Sequence, residues 1–298
     1  MAQAPMGRSW LFVPGDSEPK LAKVASAGAD AVIVDLEDAV APEFKPVARR
    51  QARDWLAAHR TQLVEGRQHS HWVRINSLAT PWWREDLAAV MPAAPHGIVL
   101  PKATGPEQLQ LLGAEIYELD GRHGIPNNST RIMPLVSETP AAALTVSAYA
   151  TAMLPRLAAL TWGAEDLSLA LGASRKRDEA GEWTDAFRMV RATMLLAAHT
   201  AGVLAIDTLH SDFEDLEALD RIARAARADG FHGMLAIHPA QVPVINAAFT
   251  PSEEERAEAR AIVEAFATNP GSGALSLGGR MIERPHLDQA RRLLGLVS

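Results

Sequence analysis

The sequence predicts a (β/α)8 barrel with a C-terminal helical extension, and three observations predict it. Eight short apolar runs recur, at 10–13, 31–34, 72–75, 97–100, 132–136, 157–162, 203–206 and 234–237. Several are rich in Val and Ile without polar alternation, the pattern of strands buried on both faces of a parallel sheet. Helical patterns separate them, and charged side chains collect where the runs stop, which is where such a barrel carries its chemistry. A doubly wound open sheet is the rival architecture, but no glycine-rich phosphate fingerprint follows the first run.

Each run has its own ending. The first passes into Pro14 and Gly15, then Asp16 to Lys20, where Lys20 is either a contact for a phosphorylated ligand or a solvated surface lysine. The second ends on Asp35, Glu37 and Asp38, with Asp35 pointing inward and Asp38 outward if the pleat continues. The third holds Arg74 in a stretch otherwise apolar apart from Asn76, the fourth is followed by Lys102, and the fifth and sixth by Glu138 and Asp166. Asp207 and His238 close the seventh and eighth. Helix starts fall between them: Thr80 before Pro81 and Thr139 before Pro140 place a cap ahead of a first-turn proline. Ser211 with Glu214, and Ser252 with Glu255, match capping boxes.

The barrel is expected over 1–250 and the extension over 251–298, as a lid or an oligomerisation arm. Within the extension a helix runs from Ser252 to about Ala267, a joint follows at 269–273 (NPGSG), and a second amphipathic helix carries Leu287, Leu293, Leu294 and Leu296 as its apolar stripe.

Bulk properties narrow the function classes. The 298 residues include 48% hydrophobic and 22% charged, an ordinary globular balance that needs no covalent staples. No cysteine is present, which excludes disulfides, thiolate nucleophiles and cysteine-type zinc sites. The net charge of −7 argues against a nucleic-acid partner. No targeting segment is visible, and no run approaches the roughly 20 apolar residues of a membrane span. The chain therefore reads as a soluble cytoplasmic protein with no nucleic-acid or membrane partner.

The strand-end residues suggest chemistry. Glu138 and Asp166 follow consecutive strands, so barrel geometry makes them neighbours. A hard cation such as Mg²⁺ takes oxygen ligands and often only one or two protein carboxylates. The competing reading is helix capping, since both acids sit where helices begin. Asp35, Glu37 and Asp38 fit groups that hold metal waters or orient Arg74, or else a solvated loop. The Arg74 guanidinium suits a carboxylate or a developing enolate oxygen, and also a structural ion pair with the acids after the second run. For His238 a backbone hydrogen bond at the strand end is favoured over a general-base role.

The segments 8–16 (RSWLFVPGD), 28–42 (GADAVIVDLEDAVAP), 73–76 (VRIN), 100–102 (LPK), 163–167 (GAEDL) and 236–239 (AIHP) resemble, in order, the citrate lyase β-subunit-like family. This is the acyl-CoA lyase branch of the HpcH/HpaI aldolase superfamily. The segment 279–286 (GRMIERPH) resembles its C-terminal motif. The resemblance implies a (β/α)8 barrel, commonly a trimer or hexamer, that uses Mg²⁺ and a coenzyme A thioester. It places the metal ligands at Glu138 and Asp166, the substrate arginine at Arg74 and supporting acids at Glu37 and Asp38. Coenzyme A contacts fall at Phe12, Pro14 and Lys20. An arginine frequent early in that loop is absent, with Ser17 nearby, and the family's C-terminal acid/base Asp is replaced by Glu283. The implied reaction is cleavage, or Claisen-type formation, of malyl-, citramalyl- or citryl-CoA, giving a 2-keto acid and an acyl-CoA. Two other roles fit the resemblance: a citrate lyase complex subunit acting on an acyl-carrier-protein thioester, and an acyl-CoA-binding barrel with little turnover. Aldol cleavage of a free 2-keto acid, as in sister families, is a further alternative that the coenzyme A loop and tail weigh against.

Overall fold

The computed structural model of the chain describes residues 7–59, 63–64 and 67–296. Eight parallel strands close into a barrel: β1 (Ser9–Pro14), β2 (Ala31–Asp35), β3 (Ser70–Arg74), β4 (Gly97–Ala103), β5 (Arg131–Val136), β6 (Ala159–Trp162), β7 (Leu204–Asp207) and β8 (Gly233–Ala236). Each pairs with its sequence neighbour, and β8 returns to β1 through Trp10 opposite Leu235. The expected barrel is therefore the observed one.

Pleat alternation explains the two apolar layers. Trp10, Ile33, Trp72, Val99, Met133 and Ile206 point inward and fill the barrel, while Leu11, Val32, Val34, Val73 and Ile98 point outward to the helices. The Trp10 and Trp72 rings meet at 5.0 Å inside. Room for Trp72 comes from Gly97 on the next strand, where a Cβ would lie 2.1 Å from the ring.

Between the strands lie α1 (Glu18–Val24), α2 (Lys45–His59), α3 (Trp83–Val90), α4 (Pro106–His123), α5 (Pro140–Ala143), α6 (Ala164–Leu171), α7 (Asp185–Ala201), α8 (Leu216–Asp229) and α9 (Gln241–Ala248). Thr139 caps α5 as expected, its hydroxyl accepting from the Ala142 N–H at 3.2 Å. Two expected starts are displaced. The Thr80 hydroxyl is committed to a turn, donating to the Ser77 carbonyl, and α3 begins at Trp83. Asp212 accepts from the Glu214 and Asp215 N–H groups, which delays α8 until Asp215 caps it. Local Ser/Thr and Asx turns compete with helix caps for the same donors.

The chain divides into two compact units, the barrel through Phe249 and a second unit from Thr250. The second unit opens with α10 (Glu253–Thr268), whose Ser252–Glu255 capping box is formed. A hairpin follows, β9 (Ala274–Leu277) with β10 (Arg280–Glu283), turning at Gly278 and Gly279 with φ of 57° and 79°. The sequence reading missed this hairpin, although two glycines between short strands are the signal for such a turn. The last helix is α11 (Arg284–Leu293). Leu287 packs with Phe266 and Ile282 in a small separate core. Leu293 and Leu294 are half-buried, but Leu296, expected in the stripe, is 60% exposed because it lies past the helix end. Among the described residues no helix is long and apolar enough to cross a membrane.

One buried base makes stability depend on pH. His71 at the start of β3 sits edge-on to Trp55 and to His96, with ring centroids 5.0 and 5.4 Å away. Burial, with His96, His59 and His69 adding positive charge, pulls its pKa down to about 3. A base held neutral by the fold contributes fully above its unfolded pKa of roughly 6.5, and that contribution is lost as pH falls from there toward the folded value. Unfolding free energy is expected to fall by up to about 2 kcal/mol between pH 7 and pH 5 from this group. Urea titrations at the two pH values check it, and a His71→Asn variant should show a flatter pH dependence than the parent.

Candidate active site

Strand register assembles the first part of the site. β1, β2 and β3 run level, so Pro14 stands opposite Asp35 and Asp35 opposite Arg74. Arg74 donates through Nε to Asp35 Oδ1 at 2.7 Å and through Nη2 to Oδ2 at 2.6 Å. Asp35 also accepts from the Glu37 and Ala39 N–H groups. Burial pushes the Asp35 carboxyl up, but Arg74 and these two N–H donors hold it below the usual carboxylate range. The remaining arm of Arg74, Nη1, lies 3.2 Å from Glu37 Oε2. That contact lacks hydrogen-bonding geometry, leaving Oε2 buried without a hydrogen-bond donor.

Glu37 shares its other oxygen with Lys102, whose Nζ donates to Oε1 at 2.5 Å and to both oxygens of the exposed Asp38 at 3.0 and 3.1 Å. Burial raises the Glu37 pKa, and Arg74 and Lys102 oppose that rise. Beneath the loop Lys45 is buried, donating to the carbonyls of Leu36, Glu37 and Val40 and fixing the path of all three acids. Asn76 donates to the Leu36 carbonyl and to Asp86, which also takes Arg49. Sequence reasoning missed Lys45 and the Arg49–Asp86–Asn76 chain, since lysines and arginines on a helix face give no sign that they turn inward.

The second part is built on β4, β5 and β6. The β4–β5 register shifts between Leu100 and Ala103. Lys102, inside that shift, has φ +52°. Its N–H is thereby turned onto Glu138 Oε2. Ser137 is also left-handed at φ +71°, and Glu138 points inward, 2% exposed. Non-glycine residues in this region are held there by their surroundings and cluster at functional sites. Gly163 gives the carboxylate room, since a Cβ there would lie 2.6 Å from Glu138 Cγ. Asp166 stands half-buried in the first turn of α6.

Glu138 Oε1 is buried without a partner. Burial, together with the charges of Glu37 and Asp166, pushes the Glu138 carboxyl well above its usual range despite the Lys102 N–H. Glu138 in turn is among the acids that hold Arg74 protonated. Two adjacent carboxylates, one with an unsatisfied buried oxygen, suit a hard cation. Among the described residues no cluster of three or more His, Asp or Glu stands at metal-holding spacing. The two carboxylates fit Mg²⁺, which keeps waters and substrate oxygens around one or two protein carboxylates.

A cavity of about 540 Å³ adjoins Arg74 and is lined by Phe12, Pro14, Lys20, Leu209 and His238. The Arg74 guanidinium lies over the Phe12 ring at 4.8 Å. Lys20 is exposed, and its ammonium has no partner among the described residues. Two other strand-end residues serve the fold. Asp207 accepts from Trp162 Nε1 at 2.7 Å and from Arg191 at 2.8 and 3.0 Å. His238 is exposed, stacks on Phe213 and accepts from the Ala240 N–H, while the buried Gln241 ties the Ile237 and His238 N–H groups to its side chain. In the second unit, Glu283 is the exposed N-cap of α11, and its N–H donates to His286 Nδ1 at 3.0 Å.

The strand ends of this (β/α)8 barrel thus carry two neighbouring acids, Glu138 and Asp166, beside an arginine anchored by Asp35. The family model described as HpcH/HpaI aldolase/citrate lyase matches residues 8–239. A citrate lyase subunit beta-like protein of Mycobacterium tuberculosis is 38% identical over 289 residues, covering 97% of this chain and 94% of that protein. The mitochondrial citramalyl-CoA lyase of Rattus norvegicus is 32% identical over 303 residues, covering 98% and 86%. The crystal structure of CitE from Mycobacterium tuberculosis in complex with magnesium, acetoacetate and coenzyme A superposes with a TM-score of 0.76 at 37% identity, covering 97% of each chain. The chain belongs to the HpcH/HpaI aldolase/citrate lyase family and is an enzyme of its citrate lyase β-like class.

Proposed function

We propose that this protein is a Mg²⁺-dependent carbon–carbon lyase that cleaves a 3-hydroxyacyl-CoA whose β-carbon also bears a carboxylate. Malyl-, citramalyl- and citryl-CoA are the candidates, each giving a 2-keto acid and an acyl-CoA. The observation that carries this reading is the buried, unpartnered Oε1 of Glu138 beside Asp166, with Arg74 and its cavity alongside. A barrel evolved for binding alone gains nothing from an unsatisfied buried carboxylate, whose desolvation destabilises the fold.

Glu138 and Asp166 would hold Mg²⁺, which would supply Lewis-acid polarisation of the substrate hydroxyl and carboxylate. Arg74 receives the thioester oxygen as cleavage turns it into an enolate, with Asp35 fixing the guanidinium before the charge develops. Glu37 and Asp38 hold the Lys102 ammonium between them beside the Arg74 guanidinium. Phe12, Pro14 and Lys20 line the cavity that takes the coenzyme A arm, Lys20 toward phosphate. Glu283, on the C-terminal unit of a neighbouring copy, protonates the enolate carbon, and the unit acts as a lid or arm in a homo-oligomer. Run in reverse, the same group deprotonates the acyl-CoA for condensation.

A mass-spectrometric screen of malyl-, citramalyl-, methylmalyl- and citryl-CoA with Mg²⁺ tests this reading. One of them should give a keto acid and an acyl-CoA, and Asp166→Ala should lose that turnover. Conversion of none of them, or equal turnover by Asp166→Ala, would overturn it. Activity confined to an acyl-carrier-protein thioester would instead point to a subunit of a larger lyase.

A further inference from the structure

We infer that Lys102 is a positioning residue that keeps one donor arm of Arg74 free for substrate by holding Glu37 away from it. The inference rests on the lyase reading for what Arg74 does, but its geometry stands alone. Arg74 has three nitrogens, and two of them, Nε and Nη2, each donate to Asp35. The third, Nη1, faces Glu37 Oε2 at 3.2 Å without a hydrogen bond, although the oxygen is buried and the two groups are of opposite charge. Such a pair should close, because a charge-assisted hydrogen bond in a low-dielectric site is strong. It stays open because Glu37 is anchored by its other oxygen, which accepts from Lys102 Nζ.

Lys102 is itself held from two sides. Its ammonium is clamped between Glu37 and Asp38. Its backbone, left-handed within the β4–β5 register shift, donates to Glu138. One residue thus spans the acid pair and the arginine, with the side chain serving Arg74 and the main chain serving Glu138. Without the ammonium, the cation facing the Glu37 carboxylate is Arg74, since Lys45 is committed to three backbone carbonyls. An Asp35–Arg74–Glu37 triad would then form, turning Nη1 onto Glu37 as Nε and Nη2 are turned onto Asp35.

The two roles separate by substitution in the full-length enzyme. Lys102→Met removes the ammonium and keeps the N–H on Glu138. Its kcat should fall about 100-fold, the effect of losing one oxyanion donor. KM and the calorimetric affinity for Mg²⁺ should move less than about threefold, since the lost contact forms only in the transition state. Lys102→Arg, which can still bridge Glu37 and Asp38, should recover most of the loss. In a Glu37→Gln background the carboxylate that captures Arg74 is gone, so Lys102→Met should cost less than about threefold beyond Glu37→Gln alone. An equal cost in both backgrounds, or none in the parent, overturns the inference. A crystal structure of Lys102→Met decides it even if the parent cleaves no thioester. A hydrogen bond from Arg74 Nη1 to Glu37 Oε2 supports it, and an unmoved Glu37 contradicts it. Absence of turnover in the parent counts against the lyase reading alone.

Discussion

Glu138→Ala is expected to lower Mg²⁺-dependent turnover by at least about 10³-fold, because it removes a ligand and with it the charge stabilisation the cation supplies. Calorimetry should show Mg²⁺ binding lost in parallel. The buried carboxylate also predicts a second effect of opposite sign. In the metal-free protein Glu138 is pushed well above its normal pKa by burial, with Glu37 and Asp166 adding to the repulsion. A carboxyl raised in this way destabilises the fold at neutral pH, since the folded state must either bury a charge or hold a proton that the unfolded chain releases. The shape-conserving Glu138→Gln should therefore raise the melting temperature of metal-free protein while failing to gain from added Mg²⁺. The parent should show the reverse, stabilised by the metal in proportion to its affinity. Unchanged Mg²⁺ affinity in Glu138→Ala would remove Glu138 from the metal site.

Arg74→Met carries the next largest effect, and it acts on both activity and stability. Loss of the donor should lower kcat by about 10²–10³-fold. It also strands Asp35, which is 2% exposed and depends on Arg74 for its low pKa. Breaking one side of a buried pair costs about 3–5 kcal/mol because an uncompensated charge remains. The double variant Arg74→Met with Asp35→Leu should recover much of that stability, read by urea unfolding, and none of the turnover. Recovery of neither would mean the pair is not what holds this end of β2 and β3 together. Arg74→Lys should keep a charge but lose the fork, so it too should remain slow.

The fold was legible because strands buried on both faces must be apolar without alternation, and eight such runs stand out in the sequence. Helix starts were less legible. At Thr80 and Asp212 a side-chain oxygen satisfies a nearer backbone group than the one its sequence position suggests. The β9–β10 hairpin escaped because both strands are short and mostly exposed, so their hydrophobic pattern is weak.

For the site, strand ends told where to look, and the structure brings Asp35, Glu37, Asp38, Arg74, Lys102, Glu138 and Asp166 to one end of the barrel. The same signal also marked Asp207 and His238, which serve Trp162, Arg191 and a backbone turn. A carboxylate at a strand end looks alike in sequence whether a neighbouring indole or a substrate uses it. The role of Lys102 depends on a register shift and a left-handed backbone, neither of which any residue type announces. Whether the Arg74 fork is full or has an arm free is likewise a matter of ångströms.

Cleavage in D2O with Mg²⁺ tests the central claim most directly, using whichever hydroxyacyl-CoA the protein converts. Carbon–carbon cleavage leaves an enolate that takes one proton from the enzyme or solvent, so the acyl-CoA product should carry deuterium at its α-carbon and the thioester should remain intact. Release of free coenzyme A with an undeuterated hydroxy acid would show thioester hydrolysis instead, and would contradict the account.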